Sequence, residues 1–144
     1  MPTVARILKE KGRVVATAAP EDSLKDIIWQ LAAKKIGALV ILDPNKAVCG
    51  IVSERDIVRV LASNPATVLD EPVSKHMTSP VFTCAETSTI DEVMQHMTSH
   101  RFRHMPVVDN GQLVGIVSLG DVVKQRIADA EFEAHSMRQY IATG

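Results

Sequence analysis

The chain has 144 residues, a formal charge of -1, and hydrophobic residues at 46% of its positions, enough for one domain with a core that needs no disulfide or metal staple. A balance so close to neutral excludes a general basic field for nucleic acid or anionic lipid, and three Phe, one Trp and one Tyr argue against aromatic stacking as a binding mode. The opening MPTVARILKEKGRVV lacks an apolar stretch of signal-peptide length, and no window approaches the roughly 18 apolar residues of a membrane span. The expectation is therefore a soluble, unprocessed, cytoplasmic protein without a membrane or nucleic-acid partner.

Residues 1–12 read as a lead-in helix, followed by a short strand from Val15. A helix comes next, because Leu24, Ile27, Ile28 and Leu31 recur at the i, i+3, i+4, i+7 spacing of an apolar stripe. Trp29 lies roughly 100 to 160 degrees from that stripe on a helical wheel, on a face that is either covered locally or part of an interface. The strand ALVILD, the turn PNKAVC, the strand GIVS and the apolar helix IVRVL complete a unit over 13–62. The stretch ASNPATVLDEP marks a joint, and 63–78 are read as joint and second lead-in helix.

From residue 79 the same order begins again. Val15, Thr17 and Ala19 fall on Val81, Thr83 and Ala85, and the helical stripe falls on Ile90, Val93, Met94 and Met97. MPVVD and GIVS follow, separated by a turn containing Asn110-Gly111, a strong hairpin signal. The second unit covers 79–130, and Ile127, Ala130, Ala134, Met137 and Ile141 extend helical spacing into a tail over 131–144, read either as a cover for exposed core or as a partner contact. Each unit is strand, helix, strand, strand, helix. One unit of this size can hardly bury both its sheet and its helices, so the two should pack together as a duplicated α+β fold with pseudo-twofold symmetry. Cys49 and Cys84 stand in apolar strand surroundings without further ligands nearby and are expected to be reduced core residues.

The duplication closes each unit with the same segment, GIVSERD at 50–56 and GIVSLGD at 115–121. Ser53 and Asp56, like Ser118 and Asp121, have the spacing of a helix capping box. Asp is shorter than the Glu or Gln that closes such a box best, so its carboxylate is more easily left facing outward, beside free N–H groups and the positive end of a helix dipole. An ionised Asp can accept two hydrogen bonds from neighbouring hydroxyls, and vicinal hydroxyls plus a phosphate describe a ribonucleotide.

On these two segments, over nearly its whole length, the chain resembles a tandem pair of cystathionine beta-synthase (CBS) domains, a Bateman module, here as a stand-alone protein. The resemblance implies a cleft on each side of the pseudo-twofold axis, commonly holding adenine nucleotides. It implies that Asp56 and Asp121 take ribose hydroxyls and that Ser53 and Ser118 contact ribose or phosphate. It places Val15, Ala16, Thr17, Val81, Phe82 and Thr83 in adenine pockets, and Arg103 and His104, with Arg101 nearby, at phosphates. The first unit departs from this pattern, offering Gly37 and Ala38 at the matching positions, with Arg55 as a partial substitute and Lys34 and Lys35 slightly earlier, so inequivalent clefts are expected. The implied ligand is AMP, ADP, ATP or NAD(H), or S-adenosylmethionine or a related adenosine compound. The implied role is a regulatory sensor that modulates a partner protein and forms a homodimer through its helices.

Three other readings compete. Glu92, His96, His100 and His104 are spaced by four, but the chain must leave the helix near Arg101, so a metal site is not expected. No nucleophile elbow, phosphate loop, dinucleotide fingerprint or C-x-x-C is present, so neither catalysis nor a catalytic residue is expected. A purely structural dimerisation unit, with both Ser-x-x-Asp segments acting only as caps, is the rival.

Overall fold

The computed structural model describes residues 2–143. Helix α1 (Val4–Lys11) precedes the first unit, which consists of β1 (Thr17–Ala18), α2 (Leu24–Lys34), β2 (Ala38–Leu42), β3 (Val48–Ser53) and α3 (Glu54–Ser63). The second unit contains α4 (Ile90–His100), β4 (His104–Asp109), β5 (Gln112–Ser118) and α5 (Leu119–Thr143). In the first, β1 runs parallel to β2 and β2 antiparallel to β3. In the second, β4 and β5 form an antiparallel hairpin, and the counterpart of β1 shrinks to a single parallel bridge between Cys84 and Val107. Val81 to Thr83 therefore carry no strand pairing.

The sequence signals explain most of these boundaries. Ser23 caps α2 by accepting from the Asp26 N–H at 3.2 Å, and Thr89 with Glu92 closes a full capping box on α4. Both helices end on a cation in the left-handed conformation, Lys35 with φ 54° and Arg101 with φ 59°, at corresponding places in the two units. A positive side chain there suits the negative end of the helix dipole. Asn110 (φ 50°) and Gly111 (φ 78°) make the tight turn of the second hairpin, as their spacing implies. In the first hairpin the Asp43 carboxylate accepts from the N–H groups of Asn45 and Ala47, and Lys46 takes the positive φ.

The lead-in segments are exchanged between the units. Val4, Ile7 and Leu8 of α1 lie in the second unit's core with Ile90, Val93, Met97, Met105, Val107, Val117 and Val122. Val4 and Ala5 donate backbone bonds to Ser88 and Glu86, and Ile90 donates to Pro2, tying α1 to the segment that starts α4. Val68 and Val73 of the joint lie in the first unit's core with Leu24, Ile27, Leu31, Leu39, Ile41, Val52 and Ile57. The joint itself is two short 3-10 turns, Ala66–Asp70 and Val73–Lys75, and not the helix expected over 63–78. Pro65 and Pro72 stand immediately before them, and proline, lacking an N–H and restricting the residue before it, prevents one continuous helix.

Two further corrections concern the C-terminal tail and the cysteines. Helix α5 runs without a break to Thr143, but Phe132, Met137, Tyr140 and Ile141 on it are exposed, so the described part of the tail does not cover the core. Cys49 and Cys84 are unpaired and only half-buried, packed against the cores rather than within them. Burial pushes the Cys84 thiol up to about 12, so it stays protonated and unreactive.

Candidate functional site

The repeated segments end β3 and β5 and start the following helices, which places each Ser at an N-cap. Ser53 Oγ accepts from the Asp56 N–H at 3.2 Å, and Asp56 Oδ2 accepts from the Ser53 N–H at 2.9 Å. Ser118 and Asp121 repeat this at 3.1 and 2.9 Å. Both boxes are closed, which corrects the expectation that a short Asp is left turned outward. The Asp side chain suffices because the Ser N–H comes to within hydrogen-bonding distance, and in each box only Oδ2 is used.

A cleft of about 690 Å³ opens over the first box, within the size range of small-molecule sites. One wall comes from the first unit: Gly37, Ile51, Ser53 to Asp56, Val58 and Arg59. The other comes from the second unit, Pro80, Val81, Phe82 and His100 to His104, with Thr78 of the joint beside Ile51. The cleft is thus built crosswise, bringing together the first unit's box and the second unit's entry segment and β4 approach. The left-handed Arg101 ends α4 and turns the chain, so that residues 102–104 run along the wall into β4.

The electrostatic balance in this cleft favours anions. Arg55, Arg59, Arg101 and Arg103 face two carboxylates, Glu54 and Asp56. The cations that the sequence placed with the second unit therefore line the cleft of the first unit's Asp56. His104 stands near the contact between the units, its ring close to Gly37. Burial lowers its pKa, and the Lys11 and Arg103 charges push the same way against the opposing pull of Asp121 and Glu54.

The cleft gathers two of the five aromatic rings of the chain. Phe82 and Phe102 stack in it with ring centroids 5.5 Å apart and planes 12° from parallel, and His100 lies 4.3 Å from Phe82. Phe82 is 49% exposed, which leaves its ring available on the cleft wall. Composition counts rings, whereas the fold puts two of the five side by side. His96 joins the same cluster, 5.9 Å from His100, so these two imidazoles contact aromatic rings while His104 belongs to β4. Among the described residues, no group of three or more His, Cys, Asp or Glu could hold a metal ion.

The second box has different surroundings. The cavity beside Asp121, about 420 Å³, lies between α1 and α5 and is lined by Arg6, Lys11, Lys124 and Phe132 among others. Val15, Ala16 and Thr17 do not line it: Ala16 packs on the first core and Thr17 is paired in β1. Neither Thr83 nor Ser118 lines either cavity. Burial would raise the Asp121 pKa, but hydrogen bonds from Lys11 and the Ser118 N–H, together with the Lys11 charge, hold it below the usual carboxylate range.

The CBS domain family matches residues 4–63 and 73–127, the two units in turn. The chain belongs to the CBS domain family. This CBS pair is 34% identical over 131 residues to the CBS domain-containing protein CBSCBSPB1 of Arabidopsis thaliana, covering 90% of this chain but 23% of that protein. The chain thus spans about a quarter of that relative's length.

Solved CBS structures share the fold. A CBS-domain containing protein from Agrobacterium tumefaciens is 46% identical with a TM-score of 0.82, the match covering 86% of this chain and 92% of that one. A CBS domain protein from Pyrobaculum aerophilum, complexed with AMP, is 29% identical with a TM-score of 0.74, covering 83% and 88%. The CBS domain pair of protein MJ0100, in complex with 5′-methylthioadenosine and S-adenosyl-L-methionine, is 27% identical with a TM-score of 0.79, covering 90% and 98%.

Arg59, Glu54, Phe102 and His100 are cleft residues that sequence reasoning did not select. Arg59 had a signal, since it lies one helical turn after Arg55. Phe102 had one too, inside the RFRH segment, but only the crosswise assembly shows that it meets Phe82.

Proposed function

We propose that this CBS pair is a regulatory module that binds one adenosine-containing ligand in the cleft between its units and modulates a partner protein. The observation that carries this reading is the crosswise cleft. A carboxylate with Oδ1 outside its capping box stands in the same space as an aromatic and apolar wall and four guanidinium groups. Asp56 takes the ribose hydroxyls, Ser53 lies beside them, Val81 and Phe82 contact the base, and Arg55, Arg101 and Arg103 with His104 meet phosphate. The complexes of the Pyrobaculum protein with AMP and of MJ0100 with adenosine-sulfur compounds support the ligand class.

The arginines favour AMP, ADP, ATP or NAD(H) over S-adenosylmethionine, because a sulfonium compound carries no phosphate for them to meet. Exposed apolar residues on the helices, Trp29, Val58, Leu61 and Ile127, support a homodimer as the assembly that transmits the signal. No helix among the described residues is long and apolar enough to cross a membrane. Calorimetric titration with adenosine, AMP, ATP, NAD and S-adenosylmethionine tests the reading. Saturable binding that strengthens with phosphate supports it. An absence of binding to any of the five leaves a structural dimerisation unit, with both boxes acting as helix caps.

A further inference from the structure

The two boxes are related by the duplication, yet one faces an open cleft and the other holds a lysine. Lys11 Nζ donates to Asp121 Oδ2 at 2.6 Å and to the Ile116 carbonyl oxygen at 3.0 Å. Asp121 and Ile116 correspond to Asp56 and Ile51, and both of the latter line the open cleft. The lysine ammonium therefore stands between strand and carboxylate in the second unit, where the corresponding space in the first unit is open. The repeat shows why the units differ. Met77 corresponds to Leu8, since a Cβ on Gly50 would meet Met77 as one on Gly115 would meet Leu8, and the joint reaches Val81 in three fewer residues than α1 takes to reach Val15, so it has no counterpart of Lys11. The first unit's lead-in therefore offers Asp56 no ammonium.

The fold keeps Lys11 in place. Helix α1 is anchored in the second core by Val4, Ile7 and Leu8, and Leu8 lies so close to β5 that a Cβ on Gly115 would come within 2.7 Å of it. Gly12, with φ 97°, ends the helix immediately after Lys11 and donates its N–H to the Leu8 carbonyl oxygen. Only the lysine side chain, not the helix, has to move for the carboxylate to be released.

We propose that Lys11 is an internal plug of the second of the two duplicated clefts, so that the chain offers one open ligand site, over Asp56, and gains a second only when Lys11 withdraws from Asp121. This rests on the adenosine-ligand reading above. The plug makes α1 a control element, since anything that pulls it from the second core also frees Asp121. A ligand at Asp121 must compete with a charge-assisted hydrogen bond to a half-buried carboxylate, a disadvantage of roughly ten-fold or more in affinity.

The test is calorimetric titration with AMP of the wild type, Lys11→Met and the Lys11→Met/Asp56→Ala double variant, Met being an uncharged, unbranched side chain that keeps the helix. The wild type is expected to bind about one AMP per chain and Lys11→Met about two, with the first affinity unchanged within about two-fold. The double variant should keep only the second site. Two equal sites in the wild type, or one site in Lys11→Met, would overturn the plug and leave the ligand reading intact. If none of the three proteins binds AMP, the titrations are repeated with ATP and NAD, and no binding of any of them overturns both the ligand reading and the hidden site. Carbon-detected NMR titration of the Asp121 carboxyl separates the ion pair from the ligand: Lys11→Met must raise its midpoint, and an unmoved midpoint overturns the pairing itself.

Discussion

Asp56→Ala separates a helix cap from a ribose ligand, because the two roles predict effects on different quantities. The substitution removes the carboxylate that accepts the Ser53 N–H at 2.9 Å and leaves the Ser53 Oγ bond to the residue 56 N–H in place. Losing half of a box costs about 1 kcal/mol, within the range measured for caps. Against a typical total of roughly 5–15 kcal/mol this leaves almost every molecule folded, with Tm lowered by about 3–5 °C for a chain of this length. If the carboxylate only caps α3, the affinity for AMP should therefore change by less than about two-fold. If it accepts the ribose hydroxyls, hydrogen bonds to a charged group worth roughly 1.5–3 kcal/mol each are lost, and Kd should rise by about 10- to 100-fold or more. Calorimetry for Kd and differential scanning for Tm, on the same preparations, measure both. A Tm drop with an unchanged Kd would refute the ribose assignment.

Other consequences can be checked alongside. Arg103→Ala should weaken ATP binding by about ten-fold or more while changing adenosine binding by less than about two-fold, since its partner is phosphate. Burial holds the folded pKa of His104 below its ordinary value, so stability should fall as pH drops below the unfolded value and continue falling through the folded one; Asp121, also lowered, adds to the loss at lower pH. Urea melts between pH 8 and 4 should show this decline, and His104→Gln should flatten its upper part. A phosphate beside His104 reverses the preference, so AMP binding near pH 6 should take up protons, visible as a dependence of the binding heat on buffer ionisation enthalpy. Gly115→Ala places a methyl group within 2.7 Å of the buried Leu8 and should cost about 1–3 kcal/mol in chemical denaturation.

Much of this architecture was legible in the chain because it is written twice. The duplicated stripe from Leu24 and from Ile90, the Asn110-Gly111 turn and the two Ser-x-x-Asp segments each depend on local rules of period and capping. Other features depend on tertiary placement, which a linear pattern does not encode. The exchange of lead-ins is one: Val4 and Val73 have the same apolar character in either packing. The crosswise cleft is another, since Arg103 belongs to the second unit by sequence and lines the same cleft as the first unit's Asp56. The Asp56 and Asp121 carboxylates were read as turned outward from side-chain length alone, whereas the close Ser N–H in both boxes draws them back. Lys11 carried no such signal, because its role depends on α1 lying against the second unit.

The most direct test of the crosswise cleft is an isotope-filtered NOE experiment on the complex with AMP. Contacts from the adenine protons to Val81 and Phe82, with the ribose protons near Ser53 and Asp56 of the other unit, are the predicted result. Adenine contacts confined to one unit, or to the α1–α5 groove, would contradict it.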